Sequence, residues 1–393
     1  MRGFSQLSPT ERRLLLEVFW ARTSARSDLA GRLDFSKSKI NAAITDLIGA
    51  GLITEIGPQP SSGGRRAEGL RVTLRDGLIA GVDIRATHMD VALLSPDMSI
   101  MARHCEPISV RGEPEPLFAR LRDVLDLLLR QMGQERERIR MIGIGVPGPV
   151  DFESARLATP PLMPLWEGFS PRQALAADFD VPIFVDNDVN ILALGTLWHL
   201  SRSADDFLVV KVATGIGCGI ICRGQVYRGV DGAAGDVGHI CIDPHGPVCH
   251  CGNVGCVEAM AAAPAIARAG AAAARSGESP RLLELLQEHG ALSPEDVGLA
   301  SREGDPAANA IIRGAGADVG RMLATLVNFF NPSHVFICGG VAAIGPAFLA
   351  SIRQSVYQRS LALSTRHLAI RPIPHPDDAG IVGAGVLGFL EAI

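Results

Sequence analysis

The strongest constraint on the fold is a histidine and three cysteines that lie close together near the middle of the chain. The sequence reads Gly-Asp-Val-Gly-His from residue 235 and, nine residues later, Cys-His-Cys-Gly-Asn-Val-Gly-Cys-Val-Glu up to residue 258. His239, Cys249, Cys251 and Cys256 thus bring one imidazole and three thiols into a short stretch. This is the ligand set of a closed tetrahedral zinc site, with no position left for a reacting water. The pattern predicts a structural zinc ion.

Glycines around the cysteines favour the same interpretation, because residues without a side chain let a short loop fold back on one centre. Cys241 and His245 are the alternative ligands if one of the four residues is assigned wrongly. His250 lies between two predicted ligands, and we expect it to point away from the metal. Core cysteines or disulfides are the competing explanations. Both fit poorly, since three cysteines fall within eight residues and the other five are scattered.

Two carboxylates bracket the cluster, Asp236 before it and Glu258 after it. A zinc site with four ligands needs neither of them. Carboxylates held beside a rigid metal-bound loop are suited to accept hydrogen bonds from neighbouring hydroxyls of one ligand. The alternative is that either residue is an ordinary solvated surface acid.

The charge of the chain is unevenly distributed. Residues 1–75 contain twelve Lys or Arg and seven Asp or Glu, a net charge of +5, although the whole chain carries −5. The rest of the chain therefore carries −10. Unless this asymmetry arises by chance, a small basic segment in front of an acidic body indicates that the amino-terminal end meets a polyanion.

The amino-terminal residues have the order of a winged helix-turn-helix domain. Three helical patterns, at residues 9–21, 27–33 and 36–49, precede two strand patterns, at residues 52–56 and 70–74. A small protein-interaction module would show the same order, but the basic charge favours DNA.

The third predicted helix is the one expected to read DNA. Its exposed side chains are of the types that contact phosphates and base edges: Lys37, Ser38, Lys39, Asn41 and Thr45. Arg65 and Arg66 lie on the glycine-rich turn between the two strands, where they are suited to enter a minor groove.

From residue 78 onward the pattern is that of an α/β protein. Buried strand patterns alternate with helices in two similar halves, so we expect a duplicated α/β body with a cleft between two lobes. The longest apolar run, at residues 335–352, contains glycines and a proline and is not a membrane span. Since no signal peptide is evident either, we expect a cytoplasmic protein with no membrane partner.

Polar residues at the end of one buried strand are candidates for recognising hydroxyls. Asn187 and Asp188 follow the strand pattern at residues 183–185, where α/β proteins place binding groups. The alternative is that Asp188 simply caps the next helix. A glycine-rich turn at residues 213–219 would let backbone amides approach a phosphate, although such hairpins are often only tight turns.

The spacing from His239 to Glu258 resembles the zinc motif of the ROK family, named for repressors, open reading frames and kinases. The resemblance extends over essentially the whole chain and favours the repressor branch, which includes the xylose and N-acetylglucosamine repressors. It implies an actin-like (sugar kinase or ribonuclease H-like) two-lobed α/β body behind the winged helix-turn-helix. The expected domains are the winged helix, a first lobe, and a second lobe with the zinc loop and dimerisation helices: residues 1–75, 76–190 with about 375–393, and 191–374.

The resemblance also implies roles for particular residues. His239 is expected both to bind zinc and to touch a sugar. The other residues implied in effector binding are Gly148, Asn187, Asp188, Asp236 and Glu258. In kinase members, the residue that matches Asp188 is the general base that deprotonates the accepting hydroxyl.

Two departures from the family pattern bear on activity. The first phosphate loop of the family is Asp-x-Gly-Gly-Thr, but Arg85 and Ala86 replace both glycines here. Without those glycines the backbone cannot closely approach a triphosphate, and phosphoryl transfer depends on that positioning. The second departure is Asp236, which stands where the family usually has Glu and leaves the identity of the sugar open.

The sequence therefore predicts a sugar-responsive DNA-binding regulator of carbohydrate metabolism, a repressor without kinase activity. It is expected to bind operator DNA as a homodimer or tetramer, with two reading helices facing a pseudo-palindromic site. The alternative is an ATP-dependent sugar kinase that carries a DNA-binding domain. A third hypothesis is a regulator that a partner protein controls.

Overall fold

The computed structural model describes residues 4–22, 24–58, 68–158, 160 and 162–393. The chain divides into two compact units, one of Met1–Ser203 with Asp377–Ile393 and one of Ala204–Pro376. The last helix of the chain therefore belongs to the first unit. The division into three domains stays a prediction.

The amino-terminal segment, residues 4–72 without the undescribed positions, contains three helices and a small sheet. Its elements are α1 (Pro9–Ala21), β1 (Ser24–Ala25), α2 (Arg26–Leu33), α3 (Lys37–Gly49), β2 (Ile53–Pro58) and β3 (Glu68–Val72). The strands are antiparallel in the order β1-β3-β2. Ser8 and Glu11 form a capping box at the start of α1, and the Ser36 hydroxyl caps α3. Helix α1 packs against α3, which places the core of the segment between them.

The remainder of the first unit is built on a five-stranded sheet. Its elements are β4 (Leu78–Ile84), β5 (His88–Leu94), β6 (Ile100–Pro107), α4 (Pro114–Gln131), β7 (Ile139–Val146), β8 (Val150–Asp151), β9 (Arg156–Leu157), α5 (Pro171–Ala176), β10 (Ile183–Asn187), α6 (Asp188–His199) and, at the end of the chain, α15 (Ala379–Ala392). The strand order is β10-β7-β4-β5-β6, with β10, β7 and β4 parallel and the other neighbours antiparallel.

Helix α15 lies directly on this sheet because two paired strands carry glycine beneath it. Gly81 on β4 is paired with Gly143 on β7, and a Cβ at either position would overlap a carbonyl oxygen of α15. Helices α15 and α6 also meet backbone to backbone, since a Cβ at Gly383 would overlap the carbonyl oxygen of Ile191. The sheet, α15 and α6 therefore form one close-packed stack.

The second unit repeats the same strand topology. Its elements are β11 (Phe207–Val212), β12 (Ile216–Cys222), β13 (Gln225–Val226), α7 (Val257–Ala261), α8 (Ala263–Ser276), α9 (Pro280–His289), α10 (Pro294–Arg302), α11 (Pro306–Phe330), β14 (His334–Cys338), α12 (Gly340–Ala343), α13 (Pro346–Arg359), α14 (Ala362–Thr365) and β15 (Ala369–Pro372). The order is β15-β14-β11-β12-β13, again with three parallel strands followed by two antiparallel ones. The duplicated α/β body predicted from the sequence is thus confirmed.

Among the described residues, no helix combines the length and the apolar composition needed to cross a membrane.

Candidate functional site

The four predicted metal ligands come together in the second unit. Single ligand atoms of His239, Cys249, Cys251 and Cys256 all lie within 4.8 Å of one another. The Sγ of Cys249 is 3.6 Å from Nδ1 of His239, and the Sγ atoms of Cys251 and Cys256 are 3.7 Å apart. Cys249 and Cys256 are buried, and the other two residues are partly exposed.

Backbone turns bring these side chains together. The amide of Cys249 donates to the carbonyl of Asn253 at 2.7 Å, and the amide of Gly252 donates back to the carbonyl of Cys249 at 2.9 Å. Gly255 adopts φ +71°, where its lack of a Cβ lets it lie against the carbonyl of Asp243. Cys256 then immediately precedes α7. The glycines noted in the sequence therefore do close the loop.

The distances between the ligand atoms fit a tetrahedral metal ion. Zn–S bonds of about 2.3 Å and Zn–N bonds of about 2.1 Å separate two sulfurs by roughly 3.8 Å, and a sulfur and a nitrogen by roughly 3.6 Å. Burial raises the pKa of the Cys256 thiol to about 12 and also raises the pKa of Cys249. A bound cation would stabilise the thiolates that burial disfavours, so the group could hold a metal ion.

The two alternative ligands, Cys241 and His245, do not join this group. Among the described residues, one further set has suitable spacing: Cys249, His250 and Glu258, which shares Cys249 with the first. That set has three members, so the four-residue group is the one that matches a closed tetrahedral site.

Glu258 is fixed at both oxygens. Its carboxylate is 8% exposed, and Oε2 accepts a hydrogen bond of 2.8 Å from the amide of Ile216, the first residue of β12. Oε1 lies 3.1 Å from Nε2 of His250. A Cβ at Gly215 would stand 2.7 Å from Oε2, so only a residue without a side chain leaves room for the carboxylate. Asp236 begins the short turn that ends at His239 and is exposed.

Sequence reasoning missed the contact between His250 and Glu258. A ring nitrogen of His250 lies 3.1 Å from Glu258 and within 4.8 Å of the Cys249 sulfur, so the expectation that His250 points away from the metal stays a prediction. The alternation of ligand and non-ligand residues along Cys249-His250-Cys251 indicates only that His250 points to the other side. Seven residues lie between His250 and Glu258, and no regular spacing connects the two, because most of the segment between them is irregular.

In the first unit, Asn187, Asp188 and Gly148 lie together where β10 ends and α6 begins. Asn187 is the N-cap of α6, since its Oδ1 accepts the amide of Val189 at 2.9 Å. Its Nδ2 donates to the carbonyl of Gly148 at 2.7 Å, which connects α6 to the loop after β7. Asp188 is the first helical residue and is 6% exposed. The residue that caps α6 is therefore Asn187 and not Asp188.

The loop at the position of the family's first phosphate loop contains an ion pair between two of its own residues. Arg85 donates from Nε, and pairs through Nη2, with Oδ2 of Asp83, both at 2.7 Å. Asp83 is buried, and its Oδ2 lies against the backbone of Gly380 in the first turn of α15. The nearby carboxylate of Asp83 is the main cause that raises the pKa of Arg85, so this guanidinium remains charged.

Comparison with known proteins identifies the body of the chain. A model of the ROK family matches residues 79–388. The chain belongs to the ROK family. This confirms the resemblance drawn from the zinc motif, together with the actin-like, sugar kinase-type α/β fold.

Relatives in the ROK family include both repressors and kinases. The chain is 29% identical over 362 residues to the xylose repressor of Caldicellulosiruptor bescii, covering 91% of this chain and 90% of the repressor. It is also 29% identical over 316 residues to the glucokinase of Halalkalibacterium halodurans, covering 80% of this chain and 96% of the kinase. A solved ROK family transcriptional regulator, a homologue of the Escherichia coli MLC protein, matches with a TM-score of 0.82 and 27% identity, covering 97% of this chain and 95% of that one.

The amino-terminal segment of this ROK protein precedes the region that the family model matches. On α3, the side chains predicted to face DNA are all exposed: Lys37, Ser38, Lys39, Asn41 and Thr45. The Lys39 ammonium lies 4.4 Å from the centre of the Phe35 ring. This cation–π contact keeps the Lys39 side chain close to the start of α3. Arg65 and Arg66 lie outside the described residues.

Proposed function

We propose that this ROK protein is a sugar-responsive, DNA-binding transcriptional repressor. The observation that carries the proposal is the extent of the likeness to regulators. The xylose repressor and the solved regulator match 91% and 97% of the chain, too much to leave out the amino-terminal segment, whereas the glucokinase matches 80%. The amino-terminal segment is therefore assigned to DNA binding, which a regulator needs and a kinase does not.

The amino-terminal segment is assigned as a winged helix-turn-helix with α3 as its reading helix. Helix order, antiparallel strand pairing and the exposed polar face of α3 support this assignment. The net charge of +5 on residues 1–75 supplies the attraction to phosphates. Two copies of the chain would present two reading helices to a pseudo-palindromic operator.

Effector recognition is assigned to two groups of polar residues, each described within its own unit. In the first unit these are Gly148, Asn187 and Asp188, which the strand and helix ends hold in place. In the second unit they are Asp236, His239 and Glu258. Carboxylates accept hydrogen bonds from hydroxyls and amides can donate as well, which suits a neutral sugar or a sugar derivative.

The metal is assigned as structural zinc. One imidazole and three thiolates suit zinc, and a fourth protein ligand leaves no open position for catalysis. When bound, the ion would neutralise the crowded thiolates and fix the loop that carries His239 and leads into Glu258. Its role is therefore to hold effector-binding residues in position.

The proposed loss of phosphoryl transfer rests on the side-chain contacts in the first phosphate loop. Arg85 stands at the first of the two glycine positions of the family loop and pairs with Asp83, so an arginine side chain lies where a backbone would approach phosphate. The kinase alternative is favoured by Asp188, which stands where kinase members have the general base, and by the glucokinase relative.

One set of measurements decides between these functions. Sugars named for relatives, D-xylose, N-acetyl-D-glucosamine and D-glucose, are titrated into the protein together with DNA selected by it from a random duplex pool. A repressor is expected to bind that DNA and to change its affinity when the sugar is added. A coupled ATP-consumption assay is the counter-test. Turnover that Asp188→Asn abolishes, with no binding to duplex DNA at low salt, would overturn the proposal.

A further inference from the structure

We infer that His250 is a further effector-recognition residue, which positions Oε1 of Glu258 to accept a hydrogen bond from a sugar hydroxyl. This inference rests on the proposed function, because it takes Glu258 as an effector ligand. His250 Nε2 lies 3.1 Å from Oε1 of Glu258, the oxygen that the Ile216 amide does not occupy. The His250 side chain is 46% exposed, so the pair presents one edge to a ligand.

The chemistry of the pair defines the ligand group. A carboxylate oxygen has two acceptor sites, and the hydrogen that Nε2 of His250 donates to Oε1 of Glu258 occupies one of them. The second site is left for a sugar hydroxyl, which donates to the oxygen that His250 holds in place. A deoxy analogue leaves that acceptor site desolvated without a partner, which is a strong form of discrimination in a polar site.

The test compares His250→Ala with His250→Gln and with His245→Ala, a loop histidine outside both candidate metal groups. Zinc content is measured first, by elemental analysis, and is expected to equal the wild-type value in all three variants. Sugar affinity, measured by calorimetry with the sugar that the wild type binds, is expected to fall about tenfold in His250→Ala. His250→Gln, which keeps a donor at a similar reach, should recover part of the loss, and His245→Ala should lose nothing.

The preference for the sugar over its deoxy analogue is expected to shrink in His250→Ala. Unchanged affinity and preference in a zinc-loaded His250→Ala protein would overturn the inference, and so would loss of zinc, which would make His250 a metal ligand. A wild-type protein that binds no sugar would instead count against the proposed function.

A second inference comes from the first unit, where the effector-binding end of α6 is connected to the amino-terminal segment. We propose that α6 transmits effector occupancy to the DNA-binding helices through four aromatic rings, called the aromatic junction: Phe19, Trp20, Trp198 and Phe389. The Phe19 ring stacks on Phe389 with centroids 3.8 Å apart and lies 4.7 Å from the Trp198 ring. Phe19 is 1% exposed.

Polar contacts reinforce the junction. Arg22, which follows α1, places its guanidinium 5.0 Å from the Trp198 ring centre and donates to the Trp198 carbonyl at 3.1 Å. Arg202 lies over the Trp20 ring at 5.4 Å. The end of α1 is therefore held to the end of α6 by rings, a cation and a hydrogen bond.

Helix α6 is suited to carry a displacement. Its first turn holds Asn187 and Asp188, and Trp198 lies in its last turn, about 15 Å further along the axis. All residues of α6 from Asp188 to Trp198 are buried, and the helix meets α15 backbone to backbone. Such a helix moves as a rigid body, because a packed core has no soft side-chain layer to absorb the shift. Helix α1, at the far side of the junction, packs on α3.

The experiment measures coupling, since lying between two sites is not itself evidence of communication. Operator affinity with and without sugar gives the coupling factor, commonly about 5- to 150-fold in allosteric proteins. Trp198→Phe and Phe19→Leu are expected to bring this factor close to one while sugar affinity changes less than about threefold. Trp166→Phe is the control, because Trp166 is equally buried among aromatic rings of the same unit but away from the junction.

Trp166→Phe also provides a direct readout. The chain has three tryptophans, so this variant keeps only Trp20 and Trp198, both in the junction. Sugar binding is expected to change its emission spectrum. No spectral change, or wild-type coupling in both junction variants, would overturn the inference. A wild-type protein whose operator affinity ignores sugar would instead count against the proposed function.

Discussion

Cys249, Cys251 and Cys256 are held together by backbone turns, although burial of Cys249 and Cys256 disfavours their charged forms. Of these three thiols, Cys251 alone has a lowered pKa, chiefly because the backbone amide of Asn253 stabilises its thiolate. A metal ion would resolve this conflict by stabilising all three thiolates together. The pKa shifts and the S–S and S–N distances are therefore both compatible with a bound cation.

Replacing Cys249 with Ser is expected to abolish stable zinc binding and the sugar response. Losing a residue that only orients a metal ligand costs roughly 10- to 100-fold in affinity, so losing a ligand costs more. Elemental analysis and a sugar titration measure both effects. Cys241→Ser is the matched control, since Cys241 is exposed and lies outside the ligand group. A zinc-free Cys249→Ser protein with a normal sugar response would show that the metal is not needed.

Arg85→Ala is expected to destabilise the protein by about 2 kcal/mol, measured by urea unfolding. Asp83 is buried, and removing its partner leaves a charge without compensation, which costs about 3–5 kcal/mol in a fully buried pair. We expect the smaller loss of about 2 kcal/mol because the Arg85 side chain is 35% exposed. Solvent already screens part of its interaction with Asp83. Asp83→Asn combined with Arg85→Ala should recover much of the loss. Additive losses in the double variant would contradict this account.

Helix α3 is the element on which DNA binding depends in the proposed function. Ile40, Ala43, Ile44 and Leu47 are buried on one side, so the opposite side must face solvent or a partner. The sequence pattern predicted this amphipathic division, and the structure agrees with it. DNA-binding measurements test whether the exposed side of α3 contacts DNA.

Lys37→Ala is expected to weaken DNA binding about equally on all sequences and to reduce the salt slope by about one, because a lysine contacts phosphate without reading bases. Asn41→Ala is expected instead to reduce discrimination between operator and non-operator DNA. Fluorescence anisotropy at several salt concentrations separates the two effects. Arg359→Ala, an exposed arginine of the second unit, serves as the control. An unchanged salt slope in Lys37→Ala would exclude α3 as the phosphate-contacting helix.

At the scale of the whole molecule, the chain consists of two units of the same strand topology. Sugar at about 100 times its dissociation constant is expected to stabilise the folded protein by about 2.7 kcal/mol and so to raise its melting temperature. Magnesium ATP is expected to leave the melting temperature unchanged, since the first loop is closed by Asp83 and Arg85. Scanning fluorimetry measures both. A rise with ATP alone would favour the kinase function.

The sequence by itself determined the features that depend on short spacing. The metal group was predicted because its four residues lie within one loop, and the polar end of β10 because strand ends are predictable from a buried run. The duplicated α/β body followed from alternating strand and helix patterns. All of these are set by neighbours along the chain.

Only the tertiary structure decided the contacts between distant segments. The ring stacking of Phe19 on Phe389 joins the two ends of the chain, and the Arg22–Trp198 hydrogen bond spans 176 residues. His250 reaches Glu258 across an irregular loop, and Arg85 meets α15 only because the last helix returns to the first unit. Local patterns cannot encode such pairs, because packing of whole elements against one another decides which side chains finally touch.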